Sequence, residues 1–179
     1  MEYQIRLASH EDVAAIEAVM RDSLEVLGRS AYDKTQVASA QRHTAFLDVQ
    51  MIDDGTYYVA VAGDCIAGCG GWSRRAKLFR GSSAQEAELQ KRLVDKATEP
   101  ARIRAMFVDP GHARRGLGRR LLEASENAAR AEGFSSTVLL AMHSGIELYR
   151  ACGYVEAEPY AFETPDGIVL PCTVMTKRL

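Results

Sequence analysis

The chain has 179 residues, of which 47% are hydrophobic and 26% charged, and its formal net charge is −2 at neutral pH. This composition is typical of a globular chain, and the length fits one domain, residues 1–179, that can bury a core. The charge balance gives no global sign of nucleic-acid or membrane binding. Because no apolar run is long enough to span a bilayer and the N-terminus lacks a signal-peptide pattern, we expect a cytoplasmic protein.

The N-terminal third begins with a strand and continues as helices. Residues 2–7 alternate as a strand does, and the Ser-His-Glu-Asp run at 9–12 resembles a capping box. It predicts a helix that ends near Gly28, followed by amphipathic helical stretches over residues 29–53.

A hairpin comes next. Residues 56–62 and 65–72 flank Gly63-Asp64, a short turn that joins antiparallel strands. Three glycines interrupt the second strand, at positions 68, 70 and 71. They indicate either core packing beside Trp72, which we favour, or a bulge or close approach of another group.

The four cysteines show no Cys-x-x-Cys pair, and the four histidines lack metal-ligand spacing, so we expect neither disulfides nor a metal. Cys65 and Cys69 lie four residues apart in a strand, and we therefore expect both to be packed on one face.

Residues 73–99 combine a basic cluster with a predicted helix over residues 84–97. The basic side chains are Arg74, Arg75, Lys77 and Arg80. Solvated surface is the favoured interpretation, and the alternatives are a lid or a contact for phosphate or another acidic ligand.

The most informative stretch is residues 102–133. Ile103, Ala105 and Phe107 alternate as in a strand, Asp109-Pro110-Gly111 ends it, and an amphipathic helix follows and stops at Gly133. Between strand and helix lies a loop with two glycines flanked by four arginines, at positions 114, 115, 119 and 120. Such a loop at a helix N-terminus suits an anion, although it is neither a Walker loop nor a complete dinucleotide fingerprint.

The remaining residues predict a buried strand at 136–142, a short helix from a second capping box at 144–147, and a hairpin of residues 154–162 and 168–177. The whole order predicts an α/β fold of the α+β type, with a mixed, mostly antiparallel central sheet flanked by helices.

The segment HARRGLGRRLLE resembles the Arg/Gln-x-x-Gly-x-Gly/Ala signature of GNAT acetyltransferases, which also follows a strand and opens a helix. LYRACGY, residues 148–154, resembles the LYxxxGF/Y segment of that family. The resemblance covers residues 56–72 and 100–179 well, and the N-terminal third loosely. Two departures are Ala113, where the family usually has Arg or Gln, and Met142, where Asn is common.

The resemblance implies a GNAT-like fold, acetyl-CoA as the acyl donor, no metal, and transfer to an amine. It assigns cofactor binding to residues of the strand and the loop: Met106, Phe107, Val108, Arg114, Arg115, Gly116, Leu117, Gly118 and Arg119. It gives Tyr149 the role of the acid that protonates the leaving thiolate. No base stands out among His143, Glu99, Asp109, His112 and Tyr32, and water can serve instead.

The favoured function is therefore an N-acetyltransferase that acts on a primary amine of a small molecule or peptide, without nucleic-acid or membrane partners. A homodimer is left open. A non-catalytic acyl-CoA sensor is the alternative, since it needs the loop but not Tyr149. A nucleic-acid patch of the six arginines between 102 and 120 is weaker, because the chain is acidic overall and interleaved aromatics are lacking.

Overall fold

The computed structural model describes residues 2–78 and 84–179. Its sheet has seven strands in the order β1-β2-β3-β4-β5-β7-β6, and all neighbours pair antiparallel except β4 and β5. The strands are β1 (Gln4–Leu7), β2 (Tyr57–Ala62), β3 (Cys65–Ser73), β4 (Ala101–Val108), β5 (Ser136–Met142), β6 (Val155–Glu163) and β7 (Val169–Arg178). The predicted fold class, mixed and mostly antiparallel, is confirmed.

Helices cover both faces of the sheet. They are α1 (Val13–Val26), α2 (Lys34–Thr44), α3 (Gln50–Asp53), α4 (Ala84–Lys91), α5 (Leu117–Ala131) and α6 (Ile146–Ala151), with short 3-10 turns at His10–Asp12, Gly28–Ser30, Pro110–His112 and His143–Gly145. The apolar sides of α1, α2 and α3 pack with Tyr57, Cys69 and Cys172 on one face. Helices α5 and α6 pack on the other face. Among the described residues, no helix is long and apolar enough to cross a membrane.

Helix α5 is amphipathic as its spacing predicts. Leu117, Leu121, Leu122 and Ala129 are buried against the sheet, while the arginines of the first turn stay exposed. Burying a leucine side chain is worth about 1.5–3 kcal/mol, so the packing of Leu117 and Leu121 against the sheet helps to fix where this helix begins.

Two local predictions about helices are wrong. Helix α4 ends at Lys91, six residues before the predicted end, because the next residues pair with the chain after β3: the backbone N–H of Val94 donates to the Arg74 carbonyl at 2.8 Å. No side chain caps α6 in the way a capping box requires, and Glu147 contacts Arg150 instead.

Cys65 is exposed whereas Cys69 is fully buried, which corrects the prediction that both pack on one face. The register between β2 and β3 shifts between Ala60 and Val61, so β3 carries an extra residue. An extra residue moves the side chains on either side of it to opposite faces. All four cysteines are free thiols.

Candidate active site

The sheet opens between β4 and β5. These strands pair only at Ala101–Thr137 and Arg102–Val138. Past that point β4 loses this neighbour, and its residues 105–108 are half-buried although they lie in the middle of the sheet order. A cleft between two central strands exposes backbone groups that a sheet normally pairs, and an extended ligand can use them.

A bulge in β4 lies at this opening. The register with β3 moves from Gly71–Arg104 to Cys69–Phe107, so Ala105 and Met106 together oppose Gly70. Ala105 has a φ of 51°, in the left-handed region. The N–H of Asp109 donates to the Ala67 carbonyl at 3.0 Å. Because strand N–H groups alternate in direction, the N–H of Val108 points away from β3, into the opening.

The loop after β4 delivers the start of α5 to the same edge. The Asp109 carboxylate accepts from the Gly111 N–H at 2.8 Å and sets the first turn. Gly116 then precedes the helix with a φ of 80°, and no side chain caps the helix. A helix start without a cap leaves its first backbone N–H groups available, and the helix dipole favours an anion there.

The four loop arginines divide into two pairs. Arg114 and Arg115 are exposed beside the glycines. Arg119 donates to the Ala151 carbonyl at 3.2 Å, and Arg120 donates to the Tyr3 carbonyl at 2.9 Å. The second pair therefore also fastens α5 to its neighbours.

The remaining sequence-predicted cofactor residues have clear positions. Leu117 is buried under the helix, and Gly118 lies against Leu148, where a Cβ would come within 2.7 Å of the Leu148 Cδ2 atom. The side chains of Met106 and Val108 pack on the α5 face, whereas Phe107 packs on the α1 face.

Tyr149 is on α6, on the α5 side of the sheet, and only 8% of its surface is exposed. Its ring packs edge-on against Tyr154, with centroids 5.8 Å apart, and lies close to Gly145. Burial, and then the neighbouring Cys152 thiol, raise the pKa of the Tyr149 phenol well above its ordinary value of about 10. Its hydroxyl makes no hydrogen bond with residues 2–78 or 84–179.

The five residues considered as bases fall into two groups, and the first group comprises Glu99, Asp109 and His112, each with its own partner. Glu99 pairs with Arg92 at 2.8 Å, which lowers the pKa of its carboxyl to about 2. Asp109 caps its own turn, and the His112 ring lies 3.1 Å from the Tyr3 hydroxyl.

Tyr32 and His143, the other two, lie together on the α1 side. The Tyr32 hydroxyl accepts from the backbone N–H of His143 at 3.0 Å and donates to the Pro171 carbonyl at 2.7 Å. It thereby joins the α1–α2 connection to β7 and to the end of β5. Burial, the largest cause, raises the pKa of Tyr32 well above the ordinary tyrosine value. The His143 side chain is exposed and its ring stacks on Tyr32.

The basic cluster after β3 is largely ion-paired or buried. Arg75 makes two short bonds to Asp54, at 2.6 and 2.7 Å. Arg74 bonds Glu132 at 2.7 Å and lies over the Trp72 ring, and Lys77 is buried. Arg80, which sequence reasoning also placed in the cluster, lies outside the described residues. The expectation of a solvated surface is therefore wrong for Arg75 and Lys77, because both are packed.

Sequence reasoning missed the bulge in β4 and the contacts that stabilise it. The signal was the Gly-Gly pair before Trp72, which indicated core packing first and a close approach second. The close approach is what the structure shows: a Cβ at Gly70 would come within 2.1 Å of the Met106 Sδ atom. In the described part of the chain, no three His, Cys, Asp or Glu side chains cluster as metal ligands would.

The chain matches a family model described as the acetyltransferase (GNAT) family over residues 17–154. Among curated protein sequences, none matches this chain.

Solved structures share the fold along the whole chain. A GCN5-related N-acetyltransferase from Rhodopseudomonas palustris is 22% identical with a TM-score of 0.72, and the match covers 100% of this chain and 97% of that one. The PaiA N-acetyltransferase of Thermoplasma acidophilum, solved with coenzyme A, is 15% identical with a TM-score of 0.68, with both chains covered completely. The ribosomal-protein-S18-alanine N-acetyltransferase of Escherichia coli is 18% identical with a TM-score of 0.60, covering 99% of this chain and 94% of that one.

Proposed function

The chain belongs to the GNAT acetyltransferase family, and from this premise we propose that it transfers an acetyl group from acetyl-CoA to a primary amine of a small molecule or peptide. The acceptor and the donor are held together, and the amine attacks the thioester directly. Because the family is one of acyltransferases, the chain is an acyltransferase enzyme.

One observation carries the proposal. The two strands of the opening lead to the two groups that the reaction needs: β4 is followed by an uncapped helix start that suits a pyrophosphate, and β5 is followed by α6, which carries the buried Tyr149. A solved structure of the same fold holds coenzyme A, which supports the assignment of the donor.

Donor binding follows from the backbone. The pyrophosphate lies over residues 114–119 and accepts hydrogen bonds from the N–H groups of Gly116, Leu117 and Gly118, with Arg114, Arg115 and Arg119 adding positive charge. The pantetheine arm extends beside Met106, Phe107 and Val108. The N–H of Val108 donates to the thioester oxygen as negative charge develops there.

The chemical step is an aminolysis of a thioester. The amine nitrogen forms a bond to the acetyl carbon, and the tetrahedral intermediate then breaks its carbon–sulfur bond. The thiolate sulfur takes the phenolic proton of Tyr149, while the nitrogen loses its proton to water, which later reprotonates the tyrosine. The Tyr149 phenol is protonated at neutral pH, because the ordinary tyrosine pKa is about 10, so its proton is available when a thiolate forms.

A thiol-release assay tests the function. Wild-type protein and Tyr149→Phe are supplied with acetyl-CoA and a panel of primary amines, and acetylated products are identified by mass. We expect amine-dependent release by the wild type and a rate about 10²- to 10⁴-fold lower in the variant, as is typical when general acid catalysis is lost. Calorimetric affinity for coenzyme A should be equal in both, since the hydroxyl acts as charge appears on sulfur.

Two results would count against the proposal. Tight coenzyme A binding without turnover on any amine would make the chain a sensor of acyl-CoA. Turnover in Tyr149→Phe equal to that of the wild type would make the tyrosine structural and give its proton-transfer role to water.

A further inference from the structure

The bulge of β4 needs something to hold it. Ala105 adopts a φ of 51°, a conformation that disfavours any residue with a Cβ. Such strain persists only where the surrounding structure fixes it, and it is concentrated at functional sites.

Tyr57 on β2 reaches this bulge across β3. Its side chain is fully buried, and its hydroxyl donates to the Ala105 carbonyl at 2.8 Å. The ring crosses the intervening strand at Gly71, where a Cβ would come within 2.8 Å of the ring atom Cδ2 and 2.4 Å of the Thr56 carbonyl oxygen. Only a glycine at position 71 leaves room for this crossing.

The adjacent Gly70 leaves room for a second contact to the bulge, on the other face of the sheet. Met106, the second residue of the bulge, lies over Gly70, where a Cβ would come within 2.1 Å of its Sδ atom. Tyr57 belongs to the cluster on the α1 face, whereas Met106 packs on the α5 face. The Gly70-Gly71 pair therefore accommodates one contact to the bulge on each side of the sheet.

The hydroxyl of Tyr57 remains a hydrogen-bond donor because it does not ionise. Burial, followed by the neighbouring Cys69 thiol, raises the pKa of this phenol well above its ordinary value, so the group stays protonated at any physiological pH. Cys69 itself is fully buried, and burial raises the pKa of its thiol to about 12.

We propose that Tyr57 is a positioning residue for acetyl transfer: its bond to the Ala105 carbonyl fixes the bulge and thereby aims the Val108 N–H at the thioester oxygen. The inference rests on the proposed function, because it assumes that the acetyl group lies at the opening of β4. It assigns no contact between Tyr57 and either substrate.

The test compares Tyr57→Phe with Thr56→Val, a matched control. Thr56 is the preceding residue, is also buried, and its hydroxyl donates to the Met51 carbonyl at 3.2 Å. Both substitutions remove one buried hydroxyl and keep the shape of the side chain. We expect kcat to fall about 10- to 100-fold in Tyr57→Phe alone, with an unchanged KM for acetyl-CoA, because small misplacements of catalytic groups cost this much.

Two further readouts separate positioning from stability. The infrared stretch of acetyl-CoA labelled with ¹³C at the carbonyl should lie at higher frequency on Tyr57→Phe than on the wild type, since a misaimed N–H polarises the carbonyl less. The double variant Tyr57→Phe/Ala105→Gly should regain most of the lost kcat, because glycine takes a positive φ without strain.

An active wild type with an unchanged kcat and carbonyl frequency in Tyr57→Phe would overturn the positioning role and leave the proposed function intact. A Tyr57→Phe protein that fails to fold, or whose loss Thr56→Val reproduces, would make Tyr57 a residue of the core only. Absence of turnover in the wild type is the failure of the proposed function itself. In that case the carbonyl frequency of bound acetyl-CoA still tests whether Tyr57 orients the Val108 N–H. A protein that does not bind acetyl-CoA would overturn both the proposed function and the positioning role of Tyr57.

Discussion

At the scale of single residues, the proposed donor site requires that Gly116 has no side chain. It precedes α5 with a left-handed φ of 80°, and apart from its own chain neighbours and the backbone of the following turn no described heavy atom lies within 4 Å of where its Cβ would be. The space beside it is therefore open to a ligand. Phosphate can approach such a backbone closely only when no side chain intervenes.

Gly116→Asp should therefore weaken coenzyme A binding. A carboxylate beside the phosphates repels them and costs the site a charge-assisted hydrogen bond worth about 1.5–3 kcal/mol. We therefore expect the affinity for coenzyme A, measured by calorimetry, to fall about 10- to 100-fold. Gly63→Asp is the control, since Gly63 also has a positive φ, of 60°, and an open Cβ position, but lies in the β2–β3 turn. Equal affinities of Gly116→Asp and Gly63→Asp for coenzyme A would contradict the proposal that the pyrophosphate binds at residues 114–119.

At the scale of elements, an ion pair joins the segment after β3, at Arg75, to the end of α3, at Asp54. Asp54 receives both bonds from Arg75, and their side chains are 12% and 20% exposed. The Arg75 guanidinium is the main cause of the lowered pKa of the Asp54 carboxyl. A carboxyl with a lowered native pKa stabilises the fold above its unfolded pKa, about 3.9, and loses that contribution as the pH falls through the native value.

Asp54→Asn should lower the free energy of unfolding by about 1 kcal/mol at pH 7, after allowance for screening by solvent. Urea unfolding should show the difference from wild type beginning to shrink below about pH 4, where the unfolded carboxyl becomes neutral, and disappearing as the pH falls through the lowered native pKa. Glu88→Gln is the control, because the Glu88–Lys91 pair is about three-quarters exposed and should contribute little. A pH-independent difference would mean that Asp54 acts by packing rather than by charge.

The elements that sequence reasoning found are those with strong local signals. The Gly63-Asp64 turn predicted its hairpin and residues 136–142 predicted β5, because turn chemistry and apolar runs depend on neighbours in sequence. The bond from Tyr57 to Ala105 joins residues 48 apart, and the Arg75–Asp54 pair joins residues 21 apart. Such contacts depend on strand order and register, which no local pattern specifies.

The site itself was predictable where the family signature reaches. The loop at residues 114–119 and the position of Tyr149 on a short helix follow from segments that resemble the family, although the roles of these residues stay predictions. The exposed Cys65 was predicted wrongly because one extra residue lies in β3, and the glycines of that strand had indicated a bulge only as the less favoured alternative. Ala105 also gave no indication of the bulge in β4, because alanine is compatible with a regular strand.

At the scale of the whole molecule, the two faces of the sheet carry different helices. Helices α5 and α6 pack on one face, and we propose that the donor enters the opening past Arg102 from that side. Tyr32 and His143 meet on the opposite face, with α1 and α2, and we propose that face for the acceptor. Residues 74–78 follow β3, and Arg74 and Arg75 in this segment pair with Glu132 and Asp54 respectively.

Hydrogen exchange with and without coenzyme A, read by mass spectrometry over the whole chain, tests this arrangement most directly. Bound coenzyme A should slow exchange of backbone N–H groups in residues 105–108, 114–119 and 142–149, since binding excludes water and occupies their donors. Residues 73–78, α1 and α2 should exchange at the rate of the free protein. Protection confined to residues 73–78, with none at the start of α5, would contradict the account.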